Sequence, residues 1–263
     1  MENIIVSPQN EKIKKIIKLQ KAHERKKQNI IIIEGEREIK MAHDCGLEII
    51  EYYYCPEIMP GAKKPLWLLA ETIIVSPIIF KKICYKENPD GFLALARPKY
   101  LELNEVKLSK NPIIIILEAV EKPGNLGAIL RTAHAAGVDA VIINDPQTDI
   151  YNPNVIRASM GHIFSKQTIV ASIADTIKWL RLNKINSIAT TITAKDYYHK
   201  TDLKSPFALI MGTEKFGLSQ NWLKEIKNSV KIPMKDNIDS LNVSVSTAII
   251  IYEGLRQRNF IDF

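Results

Sequence analysis

The alternation of apolar runs and helical segments after residue 112 is the feature that most constrains the fold. It predicts strands at 113–117, 140–143, 168–170, 186–192, 207–211 and 229–232, and helices at 126–136, 173–183, 219–227 and 241–257. Strands that alternate with helices over short connections are typical of a parallel sheet covered on both faces. Ligands of such sheets bind at the carboxyl ends of the strands, so functional side chains are expected just after the strands.

The first hundred residues predict a second, smaller α/β domain. A basic helix is predicted at 12–27, a further helix ends at Gly46 and a short one covers 77–84, with strands at 29–35, 48–55, 72–76 and 91–97. The polar stretch at 98–112, bracketed by prolines, is predicted to be a linker. These features place a first domain at 1–105 and a second at 106–263.

The predicted helix at 12–27 carries eight lysines and arginines against the single acid Glu24, within a chain of net charge +7. Ser7 and Pro8 are predicted to be its N-cap and first residue. An apolar stripe that includes Ile13 and Ile16 turns the lysines to the opposite face. A solvated helix face is the alternative interpretation, and the density of positive charge favours a phosphate-binding surface.

Composition excludes several classes of protein. No apolar run approaches the roughly 20 residues that cross a bilayer, and the first residues lack the pattern of a signal peptide. The three cysteines, Cys45, Cys55 and Cys84, form no C-x-x-C pair and are interpreted as reduced thiols. We therefore expect a cytoplasmic protein that neither binds a membrane nor requires a metal.

A first motif follows the run at 113–117. The segment "EKPGNLGAILR" has Gly124 and Gly127 in a turn that leads into a helix, and it adds Asn125 and Arg131. Backbone amides at such a helix start can bind an anion, and arginine suits phosphate. A tight turn with a surface arginine is the alternative. The third glycine of a dinucleotide-binding G-x-G-x-x-G is missing, which disfavours a Rossmann-type domain.

Two further motifs follow later strands. "GTEKFGLS" at 212–219 has two glycines around Glu214, and a simple turn capped by Ser219 is the alternative interpretation. "SLNVSV" at 240–245 begins a helix that is apolar nearly all round, with Ser240 as its predicted N-cap. A helix of this kind is buried on more than one side, so we expect a homodimer.

These three motifs, in this order, resemble the SpoU/TrmH family of S-adenosylmethionine-dependent RNA 2′-O-ribose methyltransferases, members of the SPOUT superfamily. The segment "NPNVIRASMGHIF" at 152–164 resembles the family's stretch between the first two motifs. "SPQNEKIKKIIKLQ", "IIIEGEREI" and "PDGFLALARP" resemble an RNA-recognition domain similar to ribosomal protein L30e. The chain departs from the family pattern at Lys215 and at Ser246-Thr247.

The resemblance implies an α/β fold whose carboxy-terminal parallel-sheet domain is tied in a trefoil knot. The cofactor S-adenosylmethionine would be held by Thr191, Gly212, Ile232, Pro233, Met234 and Leu241. The first motif would face the RNA, and the catalytic group would be Asn125, Arg131, Glu214, Ser240 and Asn242. Contacts to RNA are predicted for Lys12, Lys15, Arg25, Lys26 and Arg157.

Methyl transfer from a sulfonium to a 2′-hydroxyl needs alignment of the two groups more than it needs a metal. Arg131 stays protonated and is assigned to the phosphate of the target nucleotide or to polarising its hydroxyl. Glu214 is the nearest candidate for a general base. A structured ribosomal RNA is the expected substrate, transfer RNA is the alternative, and a non-catalytic RNA-binding protein is the rival of another class.

Overall fold

The computed structural model describes residues 4–58, 71–213, 216–226, 228–235 and 240–261 of the 263-residue chain. The chain divides into two compact units. Unit 1 consists of Met1–Lys99 with Tyr151–Ser165, and unit 2 consists of Tyr100–Ile150 with Lys166–Phe263.

The first ninety-nine residues of unit 1 alternate short helices and strands. The elements are α1 (Glu11–Leu19), α2 (Ala22–Gln28), β1 (Ile31–Glu34), α3 (Glu36–Asp44), β2 (Ile49–Tyr54), β3 (Thr72–Ile74), α4 (Pro77–Ile83) and β4 (Phe92–Ala96). The strands form one sheet in the order β1-β4-β2-β3, in which β2 and β3 are parallel and the other pairs are antiparallel. This mixed sheet agrees with the small α/β domain that the sequence predicts.

The core of unit 1 depends on the amphipathic pattern of α1. Ile13, Ile16 and Leu19 are completely buried and belong to one hydrophobic cluster with Phe80 of α4 and Leu95 of β4. The predicted apolar stripe is therefore confirmed, and the lysines of α1 lie on its other faces. The start of the helix differs from the prediction, because Asn10 and not Ser7 accepts the backbone N–H of Lys12 as the N-cap, at 2.9 Å.

The predicted single basic helix is two helices, and Arg25 explains the break. The guanidinium of Arg25 donates to the backbone oxygens of Leu19 and Gln20, at 2.9 and 2.8 Å, where α1 ends. Arg25 is only 3% exposed, so it stabilises the junction of the two helices from inside the unit. The predicted contact of Arg25 with RNA is therefore wrong. A single sequence shows the charge of a residue but not whether its side chain points into the core.

The chain from residue 100 onward contains the remaining elements. They are β5 (Ile113–Glu118), α5 (Pro123–Ala135), β6 (Ala140–Asn144), α6 (Pro153–Ala158), α7 (His162–Ser165), β7 (Gln167–Val170), α8 (Ile173–Leu182), β8 (Asn186–Thr190), β9 (Asp196–Tyr197), β10 (Phe207–Met211), α9 (Gln220–Glu225), β11 (Asn228–Lys231) and α10 (Val243–Gln257). Every strand and helix predicted for this region is present, and the observed ends lie within three residues of the predicted ends.

The short helices α6 and α7 belong to unit 1, although they lie within the predicted second domain 106–263. Val155 and Ile156 of α6 are buried, and α6 packs on β1 while α7 packs on α3. The chain therefore leaves unit 2 after Ile150 and returns to it at Lys166. Alternating elements do not reveal such an excursion, because a short helix has the same local pattern in either unit.

The seven strands of unit 2 form one parallel sheet in the order β7-β6-β5-β10-β8-β11-β9. The parallel sheet that the sequence predicts is confirmed. The central strands β5 and β10 are buried at every residue, as strands covered on both faces must be. Helices α8 and α9 contribute Trp179 and Trp222 to the cluster on one face. Helix α10 packs against α5 and β10.

Replacing Arg25 with alanine should destabilise the protein by about 1.5–3 kcal/mol, the usual contribution of charge-assisted hydrogen bonds. The matched change Lys26→Ala removes an exposed charge from the same helix and should alter stability by at most about 0.5 kcal/mol. Urea unfolding of both variants measures the difference. Equal midpoints for Arg25→Ala and the wild type would contradict the structural role of Arg25.

Candidate active site

A cleft opens in unit 2 where β5 and β10 end. It has a volume of about 170 Å³ and is lined by Ala119, Val120, Glu121, Lys122, Asn125, Gly212, Thr213 and Val243. The chain turns to β6 on one side of β5, while β10 lies on the other side. Ligands of open α/β sheets bind at such a topological switch point. The first predicted motif, part of the second and the start of α10 therefore meet at one place.

The first motif forms the start of α5. Pro123 occupies the first turn, so the helix begins three residues before the predicted position. Proline suits this place because its missing N–H has no partner there in any helix. Asn125 follows in the same turn, where its backbone N–H donates to the oxygen of Lys122 at 3.0 Å. Its side chain is thereby held at the edge of the cleft.

Asn125 is joined to the third motif by a hydrogen bond. The amide nitrogen of Asn242 donates to Oδ1 of Asn125 at 3.0 Å. Asn242 is itself the N-cap of α10, since its Oδ1 accepts from the backbone N–H of Ser244 at 2.9 Å and from the Ser244 hydroxyl at 2.6 Å. This network orients both amides, since Oδ1 of Asn125 accepts and its Nδ2 is therefore a donor.

The predicted cap Ser240 is therefore corrected to Asn242. Ser240 is exposed and lies two residues before the cap. The same finding explains why poor helix formers stand at 242 and 244, because asparagine and serine satisfy the amides that a helix start leaves unpaired. Leu241 is half-buried between Ser240 and the cap.

Arg131 does not lie beside Asn125. Six residues of α-helix separate them, which corresponds to about 9 Å along the axis and about 120° around it. Arg131 is exposed on α5. The structure thus brings Asn125 and Asn242 together and leaves Arg131 at a different place on the helix.

The second motif is a tight turn held by its own backbone. Thr213 and Gly217 exchange two backbone hydrogen bonds of 2.9 and 3.1 Å, and Gly217 has the positive φ of +68° that favours glycine. A Cβ at Gly212 would collide with the carbonyl of Gly217 and come within 2.6 Å of the nitrogen of Leu218. Glu214 and Lys215 lie outside the described residues.

Glu118 is a residue that sequence reasoning missed. It ends β5, is 5% exposed, and its Oε2 accepts the backbone N–H of Ser219 at 2.9 Å. Ser219 precedes α9 as predicted, but its own side chain forms no cap hydrogen bond. Glu118 therefore anchors the end of the 212–219 turn to the strand that leads into the first motif. A carboxylate that closes the apolar run "IIIIL" is the signal that could have identified it.

The residues predicted to hold the cofactor follow three neighbouring strands. Thr191, Gly212 and Ile232 are the first residues after β8, β10 and β11, and β8 pairs in parallel with each of the other two strands. Thr191 donates its backbone N–H to the oxygen of Val230 at 3.1 Å. Ile232 and Met234 are half-buried and Pro233 is exposed. A backbone edge with half-buried apolar side chains suits an uncharged adenine, so these residues fit the nucleoside part of S-adenosylmethionine.

The remaining candidates for RNA contact lie in unit 1. Lys12 forms an ion pair with Glu51, and Lys15 is half-buried. Lys26 and Arg157 are exposed, and Arg157 donates to Oδ1 of Asn154 at 2.9 Å. The basic surface that the sequence predicts is thus reduced by Arg25 and partly neutralised at Lys12.

His134 stays outside the site, as its position on α5 requires. It lies nine residues beyond Asn125, about 14 Å along the helix axis. Burial lowers the pKa of His134, and the nearby charge of Lys166 lowers it further, so the imidazole is neutral near pH 7.

The described part of the chain has no group of three or more histidine, cysteine, aspartate or glutamate residues that could hold a metal ion. Within the same residues no helix is both long enough and apolar enough to cross a membrane.

Comparison with known families identifies the chain. Residues 112–252 match the SpoU rRNA Methylase family, and residues 10–94 match the MRM3-like substrate binding domain. The first match covers more than half of the chain. The protein belongs to the SpoU rRNA methylase family, and the predicted family is confirmed.

Individual relatives agree over nearly the whole chain. The 23S rRNA (guanosine(2553)-2'-O)-methyltransferase RlmP of Bacillus subtilis is 29% identical over 94% of this chain and 97% of its own. The crystal structure of an RNA 2'-O ribose methyltransferase is 37% identical, with a TM-score of 0.86, over 98% of this chain and 100% of its own. An AdoMet-bound rRNA methyltransferase from Sinorhizobium meliloti is 29% identical, with a TM-score of 0.86, over 97% of both chains.

Gly212→Ala should abolish cofactor binding, because the added Cβ meets backbone atoms that cannot move without opening the turn. Gly124→Ala is the matched control, since a Cβ there would have no described atom within 4 Å and Gly124 has no positive φ. The control should keep or raise stability by up to about 1 kcal/mol. Calorimetric titration with S-adenosylmethionine, together with thermal melts, measures both effects. Normal cofactor affinity in Gly212→Ala would show that the turn is not part of the cofactor site.

Proposed function

We propose that this protein transfers a methyl group from S-adenosylmethionine to a ribose 2′-hydroxyl of structured RNA. The observation that carries the proposal is the Asn242–Asn125 hydrogen bond beside Gly212, which joins the three motifs around one cleft. Membership of the SpoU rRNA methylase family supports the same reaction. The Bacillus subtilis relative is named for a 23S rRNA nucleotide, which favours ribosomal RNA over transfer RNA as the substrate.

The role assigned to the residues of the cleft is to position the 2′-hydroxyl that accepts the methyl group. When bound, S-adenosylmethionine supplies an electrophilic methyl group on a sulfonium. Asn125 presents an oriented amide donor to the ribose, and Asn242 holds that amide in place through α10. Alignment of this kind can contribute up to about 7–11 kcal/mol of the barrier reduction in well-oriented reactions. Ser240 is assigned a supporting contact, and Glu214 is the candidate proton acceptor.

We assign Arg131 to a phosphate of the substrate rather than to the reacting hydroxyl. The basis is its exposed position on α5, about 9 Å along the axis and about 120° around it from Asn125, outside the lining of the cleft. A planar guanidinium suits a bidentate phosphate contact.

The cofactor assignment covers Thr191, Gly212, Ile232, Pro233, Met234 and Leu241. Main-chain atoms after β8, β10 and β11 would hold the adenine, and the trefoil knot would bring Leu241 over it. The parallel sheet and the likeness to an AdoMet-bound relative support this proposal.

Unit 1 is proposed to capture the RNA. Lys12, Lys15 and Lys26 on its first two helices, with Arg157 on α6, are the contacts assigned to it. The match of residues 10–94 to a substrate binding domain supports this role. A ribosomal RNA substrate also favours the predicted cytoplasmic location.

A homodimer through α10 completes the proposal. The inner face of α10 is buried, whereas Val245 is 47% and Tyr252 is 41% exposed on another face of the same helix. Exposed large apolar residues at helical spacing mark contact surfaces. A second copy of this chain, with the same face, is the partner that covers both residues.

The reaction itself is tested with radiolabelled S-adenosylmethionine and separate ribosomal and transfer RNA fractions. Label in ribosomal RNA, at a phosphodiester bond that resists alkali, is the expected result. Label in transfer RNA alone would favour the alternative substrate. Cofactor binding without any transfer, or RNA binding without cofactor binding, would contradict the assigned enzyme.

Arg131→Ala should lower methyl transfer roughly 10- to 150-fold, because a charge-assisted hydrogen bond contributes about 1.5–3 kcal/mol. Cofactor affinity should not change, and Arg131→Lys should recover little activity since an ammonium lacks the guanidinium fork. Single-turnover rates and calorimetry on both variants provide the measurements. Near-normal transfer by Arg131→Ala would remove Arg131 from the mechanism.

Val245→Asp with Tyr252→Asp should convert the proposed dimer into a monomer, because two buried, unpaired carboxylates oppose association. Sedimentation velocity at micromolar concentration distinguishes the two states. Leu182→Asp is the control, since Leu182 is 73% exposed and lies on α8 rather than α10. Sedimentation of the wild type as a monomer would contradict the proposed dimer.

A further inference from the structure

An aromatic and basic cluster lies at the outer edge of the unit 2 sheet, and the assigned reaction does not use it. It consists of residues 195–200 together with Lys231. Lys231 ends β11 and pairs in register with Tyr197 of the edge strand β9. The Nζ of Lys231 lies 5.3 Å from the centre of the Tyr197 ring, and that of Lys200 lies 5.9 Å from it.

The rings of this edge cluster are ordered against one another. The His199 ring stacks on Tyr197 with centroids 5.7 Å apart and an angle of 10° between the planes. Tyr198 meets His199 edge-on at 5.4 Å. His199 is exposed, and both tyrosines are half-buried. One platform therefore presents an exposed imidazole beside lysines.

The edge cluster carries an excess of positive charge. Lys195, Lys200 and Lys231 contribute three charges, and Asp196 is the acid within the same stretch. Across the described residues, Lys200 and Lys231 form no ion pair with a carboxylate. The neighbouring Glu253 accepts two hydrogen bonds from Arg256, at 2.7 and 2.8 Å, and is therefore neutralised.

The position of the edge cluster relates it to the cleft. Tyr197 and Lys231 are the last residues of parallel strands, so they lie at the same carboxyl edge as Gly212. Three strand spacings separate β10 from β9 in the sheet order, which is about 14 Å. A stacked strand with a rise of roughly 3.4 Å per nucleotide covers this distance in about four nucleotides.

A purely structural role explains only part of these features. Lysine at an edge strand blocks pairing with another sheet, which accounts for Lys195 immediately before β9. Cation–π contacts at exposed sites stabilise by only about 0.5–1 kcal/mol. Neither effect calls for two lysines on one ring with an exposed histidine stacked beside it. Ordered rings with unpaired lysines are the combination that binds single-stranded nucleic acid.

We propose that the edge cluster binds the RNA strand that flanks the methylated nucleotide, with Lys200 and Lys231 on phosphates and the His199 ring stacked on a base. The proposal rests on the proposed function, since it assigns a second contact with the same substrate. It concerns unit 2 alone and adds to the RNA capture assigned to unit 1. Three lysines beside the single acid Asp196 favour a polyanion over a second protein surface.

The test compares two double variants. Lys200→Ala with Lys231→Ala removes the proposed phosphate contacts, and Lys110→Ala with Lys204→Ala removes two exposed lysines that precede β5 and β10 at the opposite edge of the sheet. Binding of a single-stranded oligouridylate is measured against salt. The first variant should bind more weakly, with a log–log salt slope shallower by about 1.4, since each phosphate contact contributes about 0.7. The control should keep the wild-type slope.

His199→Ala supplies an independent variant, with an expected loss of roughly 5- to 150-fold in affinity for the same oligouridylate, the range for one stacked base. Cofactor affinity should match the wild type in every variant, and the melting temperature should fall by only a few degrees, the effect of losing about 0.5–1 kcal/mol per cation–π contact. An unchanged slope in the Lys200/Lys231 variant overturns the proposal. Dissociation of a dimer by that variant, with unchanged RNA affinity, overturns it in favour of a protein interface.

Methyl transfer by the wild type distinguishes a failure of the edge-cluster proposal from a failure of the proposed function. If the wild type labels RNA and the lysine variant keeps its salt slope, only the edge cluster is wrong. If the wild type labels no RNA fraction, the proposed function fails and the edge cluster fails with it. A raised KM for RNA with unchanged kcat in the lysine variant supports the proposal, because the contacts lie away from the reacting atoms.

Discussion

The pairing of β5 with β10 is the constraint on which unit 2 depends. These two strands align in parallel over five residues, from Ile113 beside Phe207 to Leu117 beside Met211, and each is buried throughout. Since both end at the same level, the segments that follow them must share one edge of the sheet. The first motif and the 212–219 turn therefore lie together before any side chain of the site makes a contact.

Two polar contacts then set the distances within that edge. Glu118 accepts the N–H of Ser219, and Asn242 donates to Asn125, so each contact joins segments more than one hundred residues apart in sequence. The Glu118 contact is partly buried, and breaking such a bond is costly because the remaining partner loses water without replacement. The cleft thus keeps its geometry through backbone packing and three side chains.

Much of the fold follows from the sequence, because the periodicity of apolar residues and the residues that form turns are local features of the chain. The apolar runs that became β5, β6 and β10, and the helices between them, are visible in the sequence for this reason. The site was predicted where a motif follows a strand, as Asn125 and Gly212 do. The N-cap role of Ser240 was predicted wrongly, and the burial of Arg25 and the placement of 151–165 in unit 1 were not foreseen, since charge and pattern do not say which side of an element meets the core. Glu118 was missed because a carboxylate at a strand end is also an ordinary exit from a core.

The interleaving of the two units bears on how such a chain can evolve. The backbone crosses between them at Lys99–Tyr100, Ile150–Tyr151 and Ser165–Lys166, so unit 1 is not a contiguous piece of sequence. Removing only residues before 100 would strip α6 of its packing and expose the buried Val155 and Ile156. A single recombination event cannot exchange the substrate-binding unit for that of a relative without leaving α6 and α7 matched to the wrong partner.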